Sequence, residues 1–116
     1  MVKSNFKNLP LNEAKKLEEL IEVENNQVIS MAIAKGNNVQ AMLLGLSKGE
    51  LISDEEYFGD TIYYIIDGKI KVIKNGLEII LNKNDILMVS EHEIHALEIE
   101  EDTKLLQMTM INLEEK

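Results

Sequence analysis

The chain has 116 residues, 45% of them hydrophobic, which is enough for one domain with a core and too little for two. It contains no cysteine, which excludes disulfides, thiolate metal sites and cysteine nucleophiles. The formal net charge of −9, with lysines scattered along the chain, argues against a nucleic-acid partner. Since no segment has the pattern of a membrane helix or a signal peptide, we expect a cytoplasmic protein with no membrane partner.

The first segment with a helical period is Asn12 to Val23. Leu17, Leu20 and Ile21 fall on one face at i, i+3 and i+4, and Asn12 can cap the N-terminus. This spacing predicts a short helix packed against a sheet. The helix belongs to an N-terminal extension, residues 1–26, which precedes a barrel, residues 27–112, within a single domain.

From Gln27 onward the pattern changes to period two, and turn residues separate short apolar segments at intervals of roughly 8–12 residues. This pattern is typical of an all-β sandwich or barrel. Asp67-Gly68 and Asn75-Gly76 predict hairpin turns, and residues 100–102 predict another turn. The expected strands are Ile29–Ile33, Val39–Leu46, Gly49–Ile52, Ile62–Ile66, Ile70–Lys74, Leu77–Leu81, Ile86–Val89, Ala96–Ile99 and Leu105–Ile111.

Several of these segments, such as Ile62–Ile66, are apolar on both faces. A strand of this kind is usually covered twice, on one side by the barrel interior and on the other by a helix or a partner subunit. The pattern therefore predicts a homodimer.

Four segments together resemble small single-domain cupins of the RmlC-like type, from about Val28 to Met110. Gly49-Glu50-Leu51 resembles the start of the first cupin motif, and Ile65-Ile66-Asp67-Gly68 resembles its end. Residues 82–89, Asn-Lys-Asn-Asp-Ile-Leu-Met-Val, resemble the approach to the second motif, with asparagines where the family has proline and glycine. His95 and the two residues after it match the second motif itself. The resemblance implies a cupin-type double-stranded β-helix, which is a jelly-roll barrel.

The resemblance also implies which residues stand at the metal-ligand positions of the family, which are ordinarily histidines and a glutamate. Counting back from Gly68 places Glu55 and Tyr57 at two histidine positions and Thr61 at the glutamate position, and only His95 keeps the family's residue. Tyrosine is a rare metal ligand and threonine a poor one. We therefore expect a degenerate motif with no cofactor, and a ligand site at the barrel mouth formed by Glu55, Tyr57, Thr61 and His95. A divalent metal, if one binds, would use Glu55, His95 and Tyr57.

Several of the same residues also have simpler interpretations. His95 could serve only to hold a loop through a ring hydrogen bond, and His92, in a polar turn, is expected to be exposed. Glu55 belongs to the acidic run 54–56, and such a run in a loop usually faces water. The strand methionines are expected to fill the core, or else to line a soft apolar pocket. They are Met31, Met42, Met88, Met108 and Met110.

Three functions compete on this basis. The first is a small stand-alone cupin that binds a small molecule in its barrel without the usual metal. The second is a metal-dependent enzyme, of the oxygenase or isomerase type, whose altered ligand set is Glu55, His95 and either Tyr57 or Glu56. The third is a structural or regulatory interaction domain. We favour the first, because three of the four ligand positions carry replacements.

Overall fold

The computed structural model describes residues 6–111, apart from the side chain of Asp54, as seven β-strands and one turn of 3₁₀ helix. The helical turn is Leu17–Leu20, and every strand pair is antiparallel. The strands are β1 (Val28–Lys35), β2 (Val39–Leu46), β3 (Leu51–Glu55), β4 (Gly59–Lys74), β5 (Leu77–Leu81), β6 (Ile86–Val89) and β7 (His95–Ile111). The predicted all-β jelly roll is confirmed. The predicted end of the barrel at residue 112 lies outside the described residues, so the domain boundaries stay a prediction.

The two longest strands, β4 and β7, form the centre of the fold. They have 16 and 17 residues, and they pair from Gly59 opposite Ile111 to Ile73 opposite Ala96. The strand order is β1-β2-β7-β4-β5, with β3 added beside β7 and β6 added beside β4. Before the bend near Gly68, β4 pairs with β6, and after it β4 pairs with β5. The bend therefore turns one sheet into two halves that face each other.

The predicted turns at Asp67-Gly68 and residues 100–102 are wrong, because both segments lie inside continuous strands. Gly68 has a φ of 109°, which is a region that favours glycine, and the register of the β4–β7 ladder shifts beside it. A β-bulge and a hairpin turn both interrupt an apolar run with polar residues and glycine, so the pattern alone does not separate them. The predicted hairpin turn at Asn75-Gly76 is confirmed, with β4 pairing β5 across it.

The inner core lies between the two halves of the bent sheet. Its members are buried apolar side chains that point inward from five of the strands, with Tyr63 and Leu105 fully enclosed. The cluster consists of Leu44, Leu46, Tyr63, Ile65, Ile70, Val72, Leu81, Val89, Leu97, Ile99 and Leu105. This core fills part of the barrel interior.

A second core lies on the outer face of β1, β2, β7 and β4, under the N-terminal segment. Ile21 is 4% exposed and packs there with Leu43 and Ile66. The helix is shorter than the predicted range 12–23: Asn12 has a φ of 62°, and the helical turn starts after Lys16 without a side-chain capping bond. A Cβ at Gly45 would collide with the carbonyl oxygen of Glu22. The backbone of the segment thus lies directly on β2 at Gly45.

The methionines divide between the two cores and the surface. Met42 packs against the inner core, and Met31 and Met108 pack against the outer one. The prediction that all five fill the interior is wrong for Met88 and Met110, which are 56% and 54% exposed. Both lie on the outer face of the sheet, beyond the area that the N-terminal segment covers. Within residues 6–111, no helix is long and apolar enough to span a membrane.

We expect Gly68→Ala to reduce the free energy of unfolding by about 2 kcal/mol more than Gly49→Ala. Both glycines have positive φ, so each alanine carries a similar backbone strain of about 1–3 kcal/mol. A Cβ at Gly68 would also collide with Asp102 and Thr103, whereas a Cβ at Gly49 meets nothing within 4 Å. Urea unfolding of the two variants measures the difference, and equal losses would contradict a tightly packed bend.

Candidate functional site

A cavity of about 410 Å³ adjoins the inner core, since Leu44 and Leu97 belong to that core and also line the cavity. Its walls come from β1, β2, β3 and β7, and from the segment between β3 and β4. The apolar side chains that line it are Val28, Met42, Leu44, Ile52, Phe58, Leu97 and Ile111. The polar ones are Ser30, Gln40, Glu55, Tyr57, Gln107 and Thr109. The barrel interior is therefore packed in the inner core and open in the space beside it.

Glu55 and Tyr57 are paired with each other at the cavity wall. The Tyr57 hydroxyl donates to Glu55 Oε1 at 2.7 Å. Burial, followed by this hydrogen bond, raises the pKa of Tyr57 to about 12, so the hydroxyl stays protonated at neutral pH. Glu55 is the last residue of β3 and is half-buried. The prediction that it lies in a solvated acidic loop is wrong, because β3 extends through Glu55 to face β7.

His95 stands directly opposite Glu55 in the β3–β7 ladder, but its ring lies behind the cavity wall and is 2% exposed. Its Nδ1 lies 2.9 Å from the Glu93 carbonyl oxygen, which can only accept, so Nδ1 carries the hydrogen. With the hydrogen on Nδ1, the Nε2 lone pair can accept a hydrogen bond, and Nε2 lies 2.8 Å from the Tyr63 hydroxyl. Burial raises the pKa of Tyr63, which keeps that hydroxyl protonated as the donor. Both ring nitrogens are therefore occupied by protein groups.

Thr61 also has its partner within the protein. Its side chain is buried, and its Oγ1 lies 2.8 Å from Oγ1 of Thr109, the residue that lines the cavity in its place. Of the four predicted site residues, Glu55 and Tyr57 face the cavity, and Thr61 and His95 lie behind its wall. Every buried side-chain nitrogen or oxygen in the described part of the chain has a hydrogen-bond partner.

These side chains do not fit a divalent metal. Among the side chains that the structure describes, which leave out Asp54, no three histidine, aspartate or glutamate residues gather in one place. His95 has both ring nitrogens engaged, and Tyr57 donates its hydrogen to Glu55 rather than presenting an oxygen anion. An imidazole ligates a metal through a free lone pair on one of its nitrogens. In His95 that lone pair is on Nε2, and it accepts the hydrogen bond from the Tyr63 hydroxyl.

The rim of the cavity is connected to a polar turn. His92 is an exposed turn residue, as predicted, and its Nδ1 lies 3.1 Å from Glu56 Oε2. Its ring meets the Phe58 ring edge-on, with centroids 5.4 Å apart. The Lys74 ammonium, 2.9 Å from Glu93 Oε2, holds the pKa of that carboxyl below its ordinary value. Glu93 thus ties the turn to β4 while its carbonyl orients His95.

The residues that the sequence analysis did not predict for the site include Tyr63, Gln107 and Thr109. Strand alternation could have found Tyr63, because it shares a face with Thr61, which the cupin resemblance places inside the barrel. Gln107 and Thr109 alternate with apolar Leu106 and Met108, a pattern that ordinarily places the polar residues outside. In the structure the order is reversed, because the apolar side chains pack under the N-terminal segment and the polar ones face the cavity.

Comparison with solved structures assigns this architecture to a family. A cupin superfamily protein from Desulfitobacterium hafniense is 43% identical, with a TM-score of 0.89 and coverage of 92% of this chain and 98% of that one. A conserved protein of unknown function from Streptococcus pyogenes has a TM-score of 0.91 at 17% identity, covering 98% of this chain and 100% of that one. A cupin 2 conserved barrel domain protein from Leptotrichia buccalis has a TM-score of 0.82 at 22% identity, covering 88% of this chain and 49% of that one.

The first of these likenesses is close enough over nearly the whole chain to show common membership, and this protein belongs to the cupin superfamily. The other two show the fold alone. None of the protein-family models matches the chain, and no curated protein sequence matches it either.

We expect Tyr63→Phe to lower the free energy of unfolding by about 1–3 kcal/mol, because it leaves His95 Nε2 buried without a partner. Tyr64→Phe is the matched control, since its hydroxyl bonds Asn84 at an exposed position and its loss should cost about 0.5 kcal/mol or less. Urea unfolding compares the two, and an equal loss in both would mean that the hydrogen bond to His95 does not stabilise the barrel.

Proposed function

We propose that this protein binds a small, mostly apolar molecule in the open end of its barrel, without a metal ion. The observation that carries the proposal is the cavity of about 410 Å³, which lies within the usual size range of small-molecule sites. An interaction domain that used only its surface would have no need of such a space inside its barrel.

The composition of the walls supports this role. Apolar side chains such as Met42, Leu44 and Leu97 give a ligand a surface on which to lose water, which favours binding. Glu55, Tyr57 and Gln107 supply a few hydrogen-bonding groups on the same cavity. A mostly apolar pocket with few polar groups is the common form of a site that binds and orients a small organic molecule.

The hydrogen bonds of the barrel support the part of the proposal that concerns the metal. Glu55 is bonded to Tyr57, Thr61 to Thr109 and His95 to Tyr63. The residues at the family's ligand positions therefore have hydrogen-bond partners within the protein, two of them in each other and two in other side chains of the barrel.

One observation favours the alternative, a metal-dependent enzyme. Glu55 and His95 stand opposite each other across two strands, a placement from which a carboxylate and an imidazole can share an ion. For that to happen the Tyr63 hydroxyl would have to leave His95 Nε2, and the buried hydroxyl would need another partner.

We expect hexanol, a neutral probe, to bind wild-type protein and to shift the NMR signals of cavity residues. Met42→Trp should weaken this binding at least fivefold, because Met42 lines the cavity and a larger ring there occupies its volume. Met88→Trp is the control, since Met88 is on the outer face and should leave the affinity unchanged. Binding that both variants retain equally would show that hexanol binds elsewhere.

Elemental analysis tests the absence of a metal. We expect protein purified without added metal to hold manganese, iron, nickel, copper and zinc only in trace amounts, and His95→Ala to hold no less. The exposed His92→Ala is the control for adventitious surface binding. About one ion per chain, lost in His95→Ala but kept in His92→Ala, would contradict the proposal and support the altered-ligand enzyme.

The homodimer and the cytoplasmic location stay predictions. The apolar side chains exposed on the outer face of β6 and β7, among them Ile86, Met88 and Met110, support a second copy covering that face. Sedimentation velocity distinguishes a dimer from a monomer.

A further inference from the structure

The Glu55 carboxylate is the chemically distinctive group of the cavity. It is half-buried, and its one described hydrogen bond comes from the neutral Tyr57 hydroxyl to Oε1. Across residues 6–111, no lysine or histidine forms an ion pair with it, and no lysine lines the cavity. A half-buried carboxylate has lost part of its hydration, and a single neutral donor replaces only part of the stabilisation that water gave to its charge. A bound cation would supply the missing charge.

Two aromatic rings lie on the same part of the cavity. Tyr57 and Phe58 both line it, two and three residues after Glu55 in the chain. The face of an aromatic ring attracts a cation, and the attraction grows when the cation is removed from water. The amide side chains of Gln40 and Gln107 add oxygens that can accept hydrogen bonds. These groups favour a donor of hydrogen bonds that carries a positive charge.

The electrostatic field of the whole protein also favours a positively charged ligand. The formal net charge is −9, so the protein attracts cations and repels anions before they reach the cavity. The remaining walls, formed by residues such as Met42, Leu44 and Leu97, suit an alkyl or aromatic body.

We propose that the cavity binds a small amine in its protonated form, with the ammonium group at the Glu55 carboxylate and the Tyr57 and Phe58 rings, and the apolar body against Met42 and Leu44. This inference rests on the proposed function and adds the charge class of the ligand. The bond is noncovalent: the ammonium donates to Glu55, Tyr57 keeps its hydrogen bond to Oε1, and no proton has to move.

Hexylammonium, hexanol and hexanoate test this inference, because they share one alkyl chain and differ in charge. In NMR titrations at neutral pH and moderate salt, we expect hexylammonium to bind about tenfold more tightly than hexanol, and hexanoate not to bind measurably. Glu55→Gln should remove the preference for the amine while keeping the affinity for hexanol, which shows that the variant folds and its cavity persists. Glu56→Gln is the matched control, since Glu56 faces His92 outside the cavity and its change should leave the preference intact.

The outcomes separate the two proposals. Equal affinities for hexylammonium and hexanol in the wild type would overturn the charge preference and leave the cavity as a binding site. A preference for the amine that Glu55→Gln retains, or that Glu56→Gln removes, would overturn the assignment to Glu55. Binding of hexylammonium that Met42→Trp does not weaken would place the amine on the acidic surface and overturn this inference. If none of the three compounds binds, the proposed function fails with it.

Discussion

The antiparallel pairing of β4 with β7 determines where the other strands lie. The two strands run together over almost their whole length and bend together near Gly68. The hydroxyl of Thr103 holds the bend, because it accepts from the Lys69 amide at 3.1 Å and donates to the Glu101 carbonyl at 2.7 Å. A side chain at Gly68 would collide with Thr103. Without this bend, the sheet would have no opposing halves, and neither the inner core nor the cavity would exist.

β7 shows why part of the barrel interior is packed and part is open. It crosses from one half of the sheet to the other, and alternate residues on either side of its bend point inward. Leu97, Ile99 and Leu105 enter the core, and Leu97 also borders the cavity, whereas Gln107 and Thr109 near the end of the strand face the cavity. Polar side chains cannot close into a tight apolar core without losing hydrogen bonds to water. The part of the interior that Gln107 and Thr109 face therefore stays open.

The pairing of polar groups sets the chemistry of that open end. His95 and Thr61 are satisfied by Tyr63 and Thr109 behind the cavity wall, so neither is available to a ligand without breaking a hydrogen bond. Glu55 differs from them, because its partner is neutral and its charge remains uncompensated by a described ion pair. The cavity thus presents one negative charge in a mostly apolar surrounding. We therefore expect the charge of a ligand to affect its binding more than its shape does.

Some features of the fold followed from the sequence alone, because they depend on residues that are neighbours in the chain. Period-two alternation and turn residues determined the all-β class, the strands β2 and β6, and the β4–β5 hairpin at Asn75-Gly76. The resemblance to cupins pointed to Glu55 and Tyr57, both of which line the cavity. Only the tertiary structure decided that Gly68 bends a strand instead of ending it, since a bulge is defined by the partner strand. Tertiary structure also decided that Gln107 faces inward and Leu106 outward, and that the Tyr63 hydroxyl forms a hydrogen bond with His95 Nε2. Those outcomes depend on contacts between residues far apart in the chain. The alternation of residues along one strand does not indicate which face of the sheet the N-terminal segment covers.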